Sequence, residues 1–231
     1  MSFGKNLQFL RRMRNGMTQE DLAERMGVSR QTISKWELDQ AYPEMEKAVE
    51  LCGCFSCTLD QLLREDMNVS DEAYSNIRLM EVKAFGYVPY AVVSGDPEGD
   101  ANRHVQEWAA SMGIEEPEVI GWDFPHVSQE QINVFHMHGY AAACILPQGR
   151  ELACKAENLR EQGRETYAVI TIRQPFITPF ARIPNAYKTL MAYMRVNQIK
   201  HKMSEGVLPC FEKVYEKDGV TFMDVYIAAD V

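Results

Sequence analysis

The chain has no apolar run near the roughly 18 residues that span a membrane, and its first fifteen residues lack the apolar stretch of a signal peptide. We therefore expect a cytoplasmic protein with no membrane partner. Six cysteines without a secretory signal predict free thiols and exclude a disulfide framework. Cations are also scarce, with 24 Lys and Arg against 33 Asp and Glu. A net charge of −9 argues against uniform affinity for nucleic acid.

The few cations are concentrated near the N-terminus. Residues 1–36 contain seven basic and three acidic side chains, a net charge of +4, so the remainder of the chain carries −13. A basic end on an acidic body predicts local contact with a polyanion.

Two short helices separated by a tight turn are predicted in this basic segment. Thr18 is a good N-cap with Asp21 in the capping-box position, and Gly27 suits the left-handed residue that ends a helix. Ser29 caps a second helix that buries Ile33 and Trp36. A three-residue connection forces a steep crossing, which is the helix-turn-helix geometry.

The polar face of the second helix predicts contact with double-stranded DNA, because its side chains donate hydrogen bonds to base edges and phosphates. We expect Arg30, Gln31 and Ser34 near bases and Thr32 and Lys35 towards phosphates. Gln19, at a helix N-terminus, is placed to bind a phosphate. The predicted DNA-binding set is Gln19, Ser29, Arg30, Gln31, Thr32, Ser34 and Lys35.

Residues 4–66 resemble the Cro/phage-repressor (XRE) helix-turn-helix family. The residues that carry the resemblance are Leu10–Arg14, Met17–Ala23, Gly27–Glu37, Tyr42-Pro43 and Leu59–Leu63. The resemblance implies a five-helix domain that binds a palindromic operator as a homodimer.

The cysteines Cys52, Cys54 and Cys57 have a spacing that metal sites also use. They fall where the resembled family has small core residues, and free cysteine packs as a small hydrophobe. We therefore expect buried thiols, no metal site and no cofactor.

The pattern changes after a polar linker at residues 67–76. Strands are predicted near 78–94, 118–124, 133–146, 165–175, 207–216 and 219–228, with helices near 100–112 and 182–197. The order strand-helix-strand-strand occurs twice. The predicted fold is therefore multi-domain: an all-α five-helix helix-turn-helix domain (1–66), then an α+β domain (77–231) of duplicated strand-helix-strand-strand units.

Residues 77–231 resemble the gyrase-inhibitor-like (GyrI-like) effector-binding domain. The carrying stretches are Glu165–Ile170, Ile183–Leu190, Pro209–Tyr215 and Met223–Ile227. The resemblance places Glu212 in a pocket for cationic aromatic ligands. A carboxylate in an apolar groove is costly unless paired, and a lipophilic cation supplies that pairing.

Further pocket residues are weaker expectations. Asp224 and Tyr226 share a strand face that we assign to the groove or to solvent. Trp122 is expected to hold in the first repeat the place that Glu212 holds in the second, and Tyr140 and Phe176 are candidate walls.

The sequence thus predicts a one-component DNA-binding transcription regulator, not an enzyme. Its C-terminal domain is expected to sense a small hydrophobic ligand, and this expectation includes hydrophobic cations. The alternative is a GyrI-like hydrolase acting on a small toxic compound, in which Glu212 with Tyr226 or Tyr140 supplies the acid–base set.

Overall fold

The computed structural model describes residues 2–65, 67, 73–123, 127–147 and 158–231. The first part consists of α1 (Phe3–Met13), α2 (Gln19–Met26), α3 (Arg30–Glu37), α4 (Met45–Phe55) and α5 (Leu59–Leu63). The second part consists of β1 (Tyr74–Val82), β2 (Phe85–Ser94), α6 (Pro97–Ser111), β3 (Glu118–Asp123), α7 (Gln129–Asn133), β4 (His138–Ile145), β5 (Arg160–Gln162), β6 (Glu165–Arg173), a 3₁₀ turn (Pro175–Ile177), α8 (Pro179–Val196), β7 (Lys200–His201), β8 (Cys210–Lys217) and β9 (Val220–Asp230). The predicted fold class, an all-α domain followed by an α+β domain, is confirmed.

The predicted helix caps are present in the helical domain. The Thr18 hydroxyl accepts from the Asp21 backbone N–H at 3.1 Å, and the Asp21 carboxylate accepts from the Thr18 N–H at 2.8 Å. Gly27 ends α2 with φ of 65°, which favours glycine. Ser29 caps α3 by accepting from the Thr32 N–H at 3.1 Å.

A buried ion pair connects α1 to α3. The Arg11 guanidinium donates to both carboxylate oxygens of Glu37, at 2.6 and 3.1 Å, and also donates to the Met17 carbonyl at 2.6 Å. The Glu37 side chain is only 1% exposed. The fork geometry satisfies both buried charges, which fixes α3 against α1.

The α+β domain is built on one antiparallel sheet in the order β1-β6-β9-β8-β3-β4-β2-β5, with β7 paired to β9. Only Lys83 and Ala84 connect β1, at one edge, to β2, near the other. The sheet must therefore curl until its edges approach each other. Its inner face forms a concave core of Tyr87, Ile120, Ala143, Tyr167, Val169, Leu208, Phe211, Tyr226 and Ala228.

The outer face carries the two long helices and shows the duplication. The units β2-α6-β3-β4 and β6-α8-β8-β9 each place their helix on this face. Helix α6 packs on β2 and β4, whereas α8 packs on β6 and β9. The two central strands, β3 and β8, thus form the floor of a groove between the helices, and they meet where Gly121 pairs with Glu212.

Two predicted strands and the predicted linker need correction. The stretch 78–94 is two strands at different places in the sheet. The stretch 133–146 begins as strand only at His138, because a Ser128–Gln131 capping box starts α7 just before it. Linker residues 68–72 lie outside the described residues, and β1 already begins at Tyr74.

The end of α8 docks on the helical domain. Val196 is buried in the core of that domain. The Asn197 side-chain amide donates to the Met13 carbonyl at 2.9 Å, and Arg195 donates to the Gln61 side chain at 3.1 Å. One helix therefore contacts both domains.

Within the described ranges, no helix is long and apolar enough to cross a membrane.

Candidate DNA-binding surface and ligand site

The first turn of α3 presents an accessible polar surface. Arg30 and Gln31 are exposed, and so is Lys35 one turn further along. The Arg30 guanidinium pairs with Glu20 of α2 at 2.9 Å, with both side chains more than 60% exposed. An exposed pair of this kind contributes about 0–1 kcal/mol, so Arg30 can exchange Glu20 for a phosphate or a base edge at little cost.

The remaining predicted DNA contacts are partly engaged within the protein. The hydroxyls of Ser29 and Thr32 bond to each other at 2.9 Å as part of the α3 cap, and Ser34 is half-buried. Gln19 donates to Glu37 at 2.8 Å, so one of its two amide N–H donors is used internally. Glu37 thus orients both Arg11 and Gln19, a network that the sequence analysis did not anticipate.

Glu212 lies on the floor of the groove between α6 and α8. It is 8% exposed, and its carboxylate accepts from the Tyr187 hydroxyl of α8 at 3.0 Å and from the Tyr140 hydroxyl of β4 at 3.4 Å. No cation pairs with it among the residues that the structure describes. We name Glu212, Tyr140 and Tyr187, with the β3–β8 floor beneath them, the acidic groove.

Gly121 makes room for this arrangement. A Cβ at Gly121 would lie 2.1 Å from the Tyr140 hydroxyl oxygen and 2.6 Å from the ring carbon that carries it. Any side chain on β3 at this point would therefore displace Tyr140 from Glu212.

Burial raises the pKa of Glu212 from its ordinary 4.5 to about 7. The hydrogen bond from Tyr187 opposes the rise, while the carboxylates of Asp123 and Glu98 add to it. Burial and the nearby Glu212 charge raise the pKa values of Tyr187 and Tyr140, so both tyrosines stay protonated donors. The acidic groove thus combines a neutral rim of hydroxyls with clustered negative charge.

The structure separates the other predicted ligand residues from Glu212. Asp224 lies on the inner face of the sheet, where it accepts from Thr171 at 2.6 Å and pairs with Arg78 at 3.3 Å. Tyr226 stacks on Phe211 in the concave core, with ring centroids 4.3 Å apart. Both side chains therefore lie on the opposite face of the sheet from Glu212, and the expectation of a single pocket for them and Glu212 is corrected.

Trp122 is also on the inner face, edge-on to Tyr87 at 6.2 Å. The residue that pairs with Glu212 is its neighbour Gly121. A shift of one residue in register moves a side chain to the opposite face, which is why Trp122 does not take the expected place. Phe176, in the 3₁₀ turn, is 51% exposed and lies outside the groove floor and its two tyrosines.

Sequence reasoning missed three members of the site. Tyr187 lies in the predicted helix 182–197, and only the folded structure shows that its hydroxyl reaches Glu212. Gly121 and Asp123 alternate with Trp122 on β3, but their face becomes evident only once β3 is paired with β8.

The cysteine motif packs as the sequence predicts for a hydrophobe. Cys54 is buried in the helical core, and Cys52 and Cys57 pack partly buried against it. Burial is the main cause that raises the pKa of Cys57 to about 12. Within the described part of the chain, no group of three or more His, Cys, Asp or Glu side chains is arranged to hold a metal ion.

The five helices, the capped turn before α3 and the exposed α3 face define a helix-turn-helix protein with an appended α+β domain. Residues 9–62 match the family described as helix-turn-helix. The chain is 28% identical over 197 residues to the HTH-type transcriptional activator BcrR of Enterococcus faecalis, covering 84% of this chain and 92% of that protein. The chain is a transcriptional regulator with an N-terminal helix-turn-helix domain.

Two solved structures align with this chain at low sequence identity. The EcmrR–DNA complex aligns with a TM-score of 0.48 at 11% identity, over 93% of this chain and 85% of that one. SAV2435 bound to tetraphenylphosphonium aligns with a TM-score of 0.39 at 10% identity, over 68% of this chain and 94% of that one.

Proposed function

We propose that this chain is a one-component regulator that binds operator DNA through α3 and senses a lipophilic cation in the acidic groove. The observation that carries the proposal is Glu212, a buried carboxylate held by two tyrosine hydroxyls with no cation partner among the described residues. A buried carboxylate without a counter-ion is costly, and an aromatic cation relieves that cost. The two tyrosine rings supply flat walls for such a ligand.

The groove has the electrostatics of a cation site. Asp123 and Glu98 both add negative potential at Glu212. A cation entering between α6 and α8 gains from all three carboxylates, whereas an anion is repelled.

Helix α8 provides a route from the ligand to the DNA-binding domain. Tyr187 donates to Glu212, and nine residues later Val196 is buried in the helical domain. Nine residues of α-helix span about 14 Å. A ligand that displaces the Tyr187 hydroxyl moves α8, and α8 carries the movement to its contact with Met13.

We also propose that the chain binds its operator as a homodimer. Between the end of α3 and the middle of α4, four large apolar side chains are more than half exposed: Leu38, Tyr42, Met45 and Val49. Exposed clusters of this kind mark interaction surfaces. Glu44 and Glu46 lie within this segment, which disfavours DNA as its partner. A V49E variant that stays monomeric and loses affinity for a two-half-site operator supports the dimer; a native-size V49E dimer contradicts it.

A second candidate function is hydrolysis of a small toxic compound. The pKa of Glu212 near 7 and the adjacent tyrosines suit a general base at neutral pH. We rank sensing first because a DNA-binding domain is fused to the groove. Turnover of a bound compound by the whole chain, lost in E212Q, would reverse this order.

The experiment that tests the ligand proposal compares two probes of similar shape. Tetraphenylphosphonium carries one positive charge, whereas triphenylphosphine oxide is neutral. We expect E212Q to weaken the cation at least tenfold at pH 8 and the neutral probe by much less, since one lost charge-assisted contact is worth about 1.5–3 kcal/mol. The matched control is E216Q, because Glu216 is an exposed glutamate on the same strand. An equal loss of affinity for both probes would show that the charge of Glu212 does not contribute to cation binding.

A further inference from the structure

A cavity lies between the two domains, away from the acidic groove. It is a cleft of about 840 Å³ bounded by α1 and its following turn, by the start of β1 and by Tyr193 of α8. Its volume is within the range of small-molecule sites, which occur preferentially at domain interfaces. We name it the interdomain cleft.

Helix α1 presents two stripes to the cleft. Gln8 and Arg12, continued by Asn15 in the turn after the helix, form a polar stripe, and Phe9 and Met13 form an apolar one beside it. The Arg12 guanidinium makes no hydrogen bond or ion pair with any residue that the structure describes. One free cation therefore lies beside an apolar strip on this wall.

The opposite wall comes from the α+β domain. A bulge in β1, between Ser75 and Arg78, turns Asn76 and Ile77 towards the cleft, and Asn76 has φ of 54°. Bulges of this kind re-aim side chains and are frequent next to binding sites. Tyr193 adds a half-buried ring.

The charge of the cleft is opposite to that of the acidic groove. Among the described residues that line it, none is a carboxylate, although the chain as a whole has nine more acidic than basic side chains. Apolar surface from Phe9, Met13, Ile77 and Tyr193 suits a flat hydrophobic body, and Arg12 suits an anionic group at its edge.

We propose that the interdomain cleft binds an aromatic anion, with Arg12 pairing the anionic group and the ring system lying between Met13 and Tyr193. Such a ligand contacts both domains at once and favours the arrangement that the Met13–Asn197 hydrogen bond already holds. This site does not include Glu212, so the proposal can be tested separately from the proposal of cation sensing.

The test uses 8-anilinonaphthalene-1-sulfonate, an aromatic anion whose fluorescence rises in apolar surroundings, titrated into the full chain. We expect saturable binding with one probe per chain, weakened at least tenfold in R12E and largely retained in R12K. N76D, which adds a carboxylate from the other wall, should weaken binding roughly threefold or more through like-charge repulsion. K5E makes the same charge change on the exposed part of α1 outside the cleft and should leave binding unchanged.

The controls separate the alternatives. Equal weakening by K5E and R12E would mean that only the net charge matters, and it would overturn the proposal. Binding that is unchanged in both R12E and N76D would place the probe elsewhere and would also overturn it. E212Q should leave the affinity for this anion within twofold of the native value, and a large change would contradict the independence of the two sites.

Discussion

Replacing Glu212 by glutamine should stabilise the α+β domain in a pH-dependent way. The pKa of the carboxyl is about 7 in the folded protein and about 4.5 when exposed. The folded state therefore binds the proton more tightly than the unfolded state, and the free energy of unfolding falls as the pH rises from 4.5 to 7. Above pH 7 the cost of the buried charge is fully present, about 3 kcal/mol.

Glutamine keeps the shape of the side chain but cannot ionise. Its carbonyl oxygen can replace the carboxylate oxygen that accepts from Tyr187, and its amide nitrogen then donates to the Tyr140 hydroxyl oxygen. We expect E212Q to exceed the native chain in stability by about 2–3 kcal/mol at pH 8, and by little at pH 4.5, where the native carboxyl is largely protonated.

The assay is amide hydrogen exchange of β3 and β8 in urea, because a two-domain chain does not unfold in a single two-state transition. E216Q serves as control, because Glu216 is exposed near the end of the same strand, and it should show no such pH dependence. An E212Q gain that is equal at pH 4.5 and pH 8, or a loss at pH 8, would refute a raised carboxyl pKa as the source of the effect.

Three further predictions follow from the structure. R30A/Q31A should weaken operator binding at least tenfold, measured by fluorescence anisotropy, with the helical content unchanged because both side chains are exposed; native-like binding would reject α3 as the recognition helix. E37A should destabilise the helical domain by about 3–5 kcal/mol in urea unfolding, because it leaves the buried Arg11 charge unpaired, and a loss below 1 kcal/mol would contradict that pairing. G121A should cost about 1–3 kcal/mol through its clash with Tyr140, and the loss should be less than additive with Y140A; full additivity would mean that the two residues do not interact.

The helical domain was largely predictable because its signals are local. Thr18, Gly27 and Ser29 each act within three or four residues of chain, and the apolar spacing of α1 to α3 fixes which faces are buried. The Arg11–Glu37 pair was not predictable, since it joins residues 26 positions apart.

The ligand site was less predictable because it depends on how distant strands pair. Glu212 is brought beside Tyr140 and Tyr187 only after β3 pairs with β8 and α8 folds back over the sheet. Alternation along β9 correctly placed Asp224 and Tyr226 on one face, and Met223 and Val225 pack against α8 on the other. It did not reveal that the sheet curls, which encloses Asp224 and Tyr226 on the opposite side.

Helix α8 connects the acidic groove to the helical domain, since Tyr187 contacts Glu212 and the end of the helix contacts Met13 and Gln61. In the proposed coupling, the hydrogen bond from Asn197 to Met13 is one of the contacts through which an occupied groove would alter operator affinity. N197A should reduce that coupling while leaving cation binding intact, since Asn197 lies beyond the groove.

The central claim is tested most directly by measuring operator affinity with and without saturating tetraphenylphosphonium, on a DNA site selected from a random pool. We predict that the cation changes the operator affinity of the native chain at least fivefold and leaves that of E212Q unchanged, which corresponds to a coupling free energy of about 1 kcal/mol or more. A native chain that binds the cation at Glu212 yet holds the operator with the same affinity would contradict it.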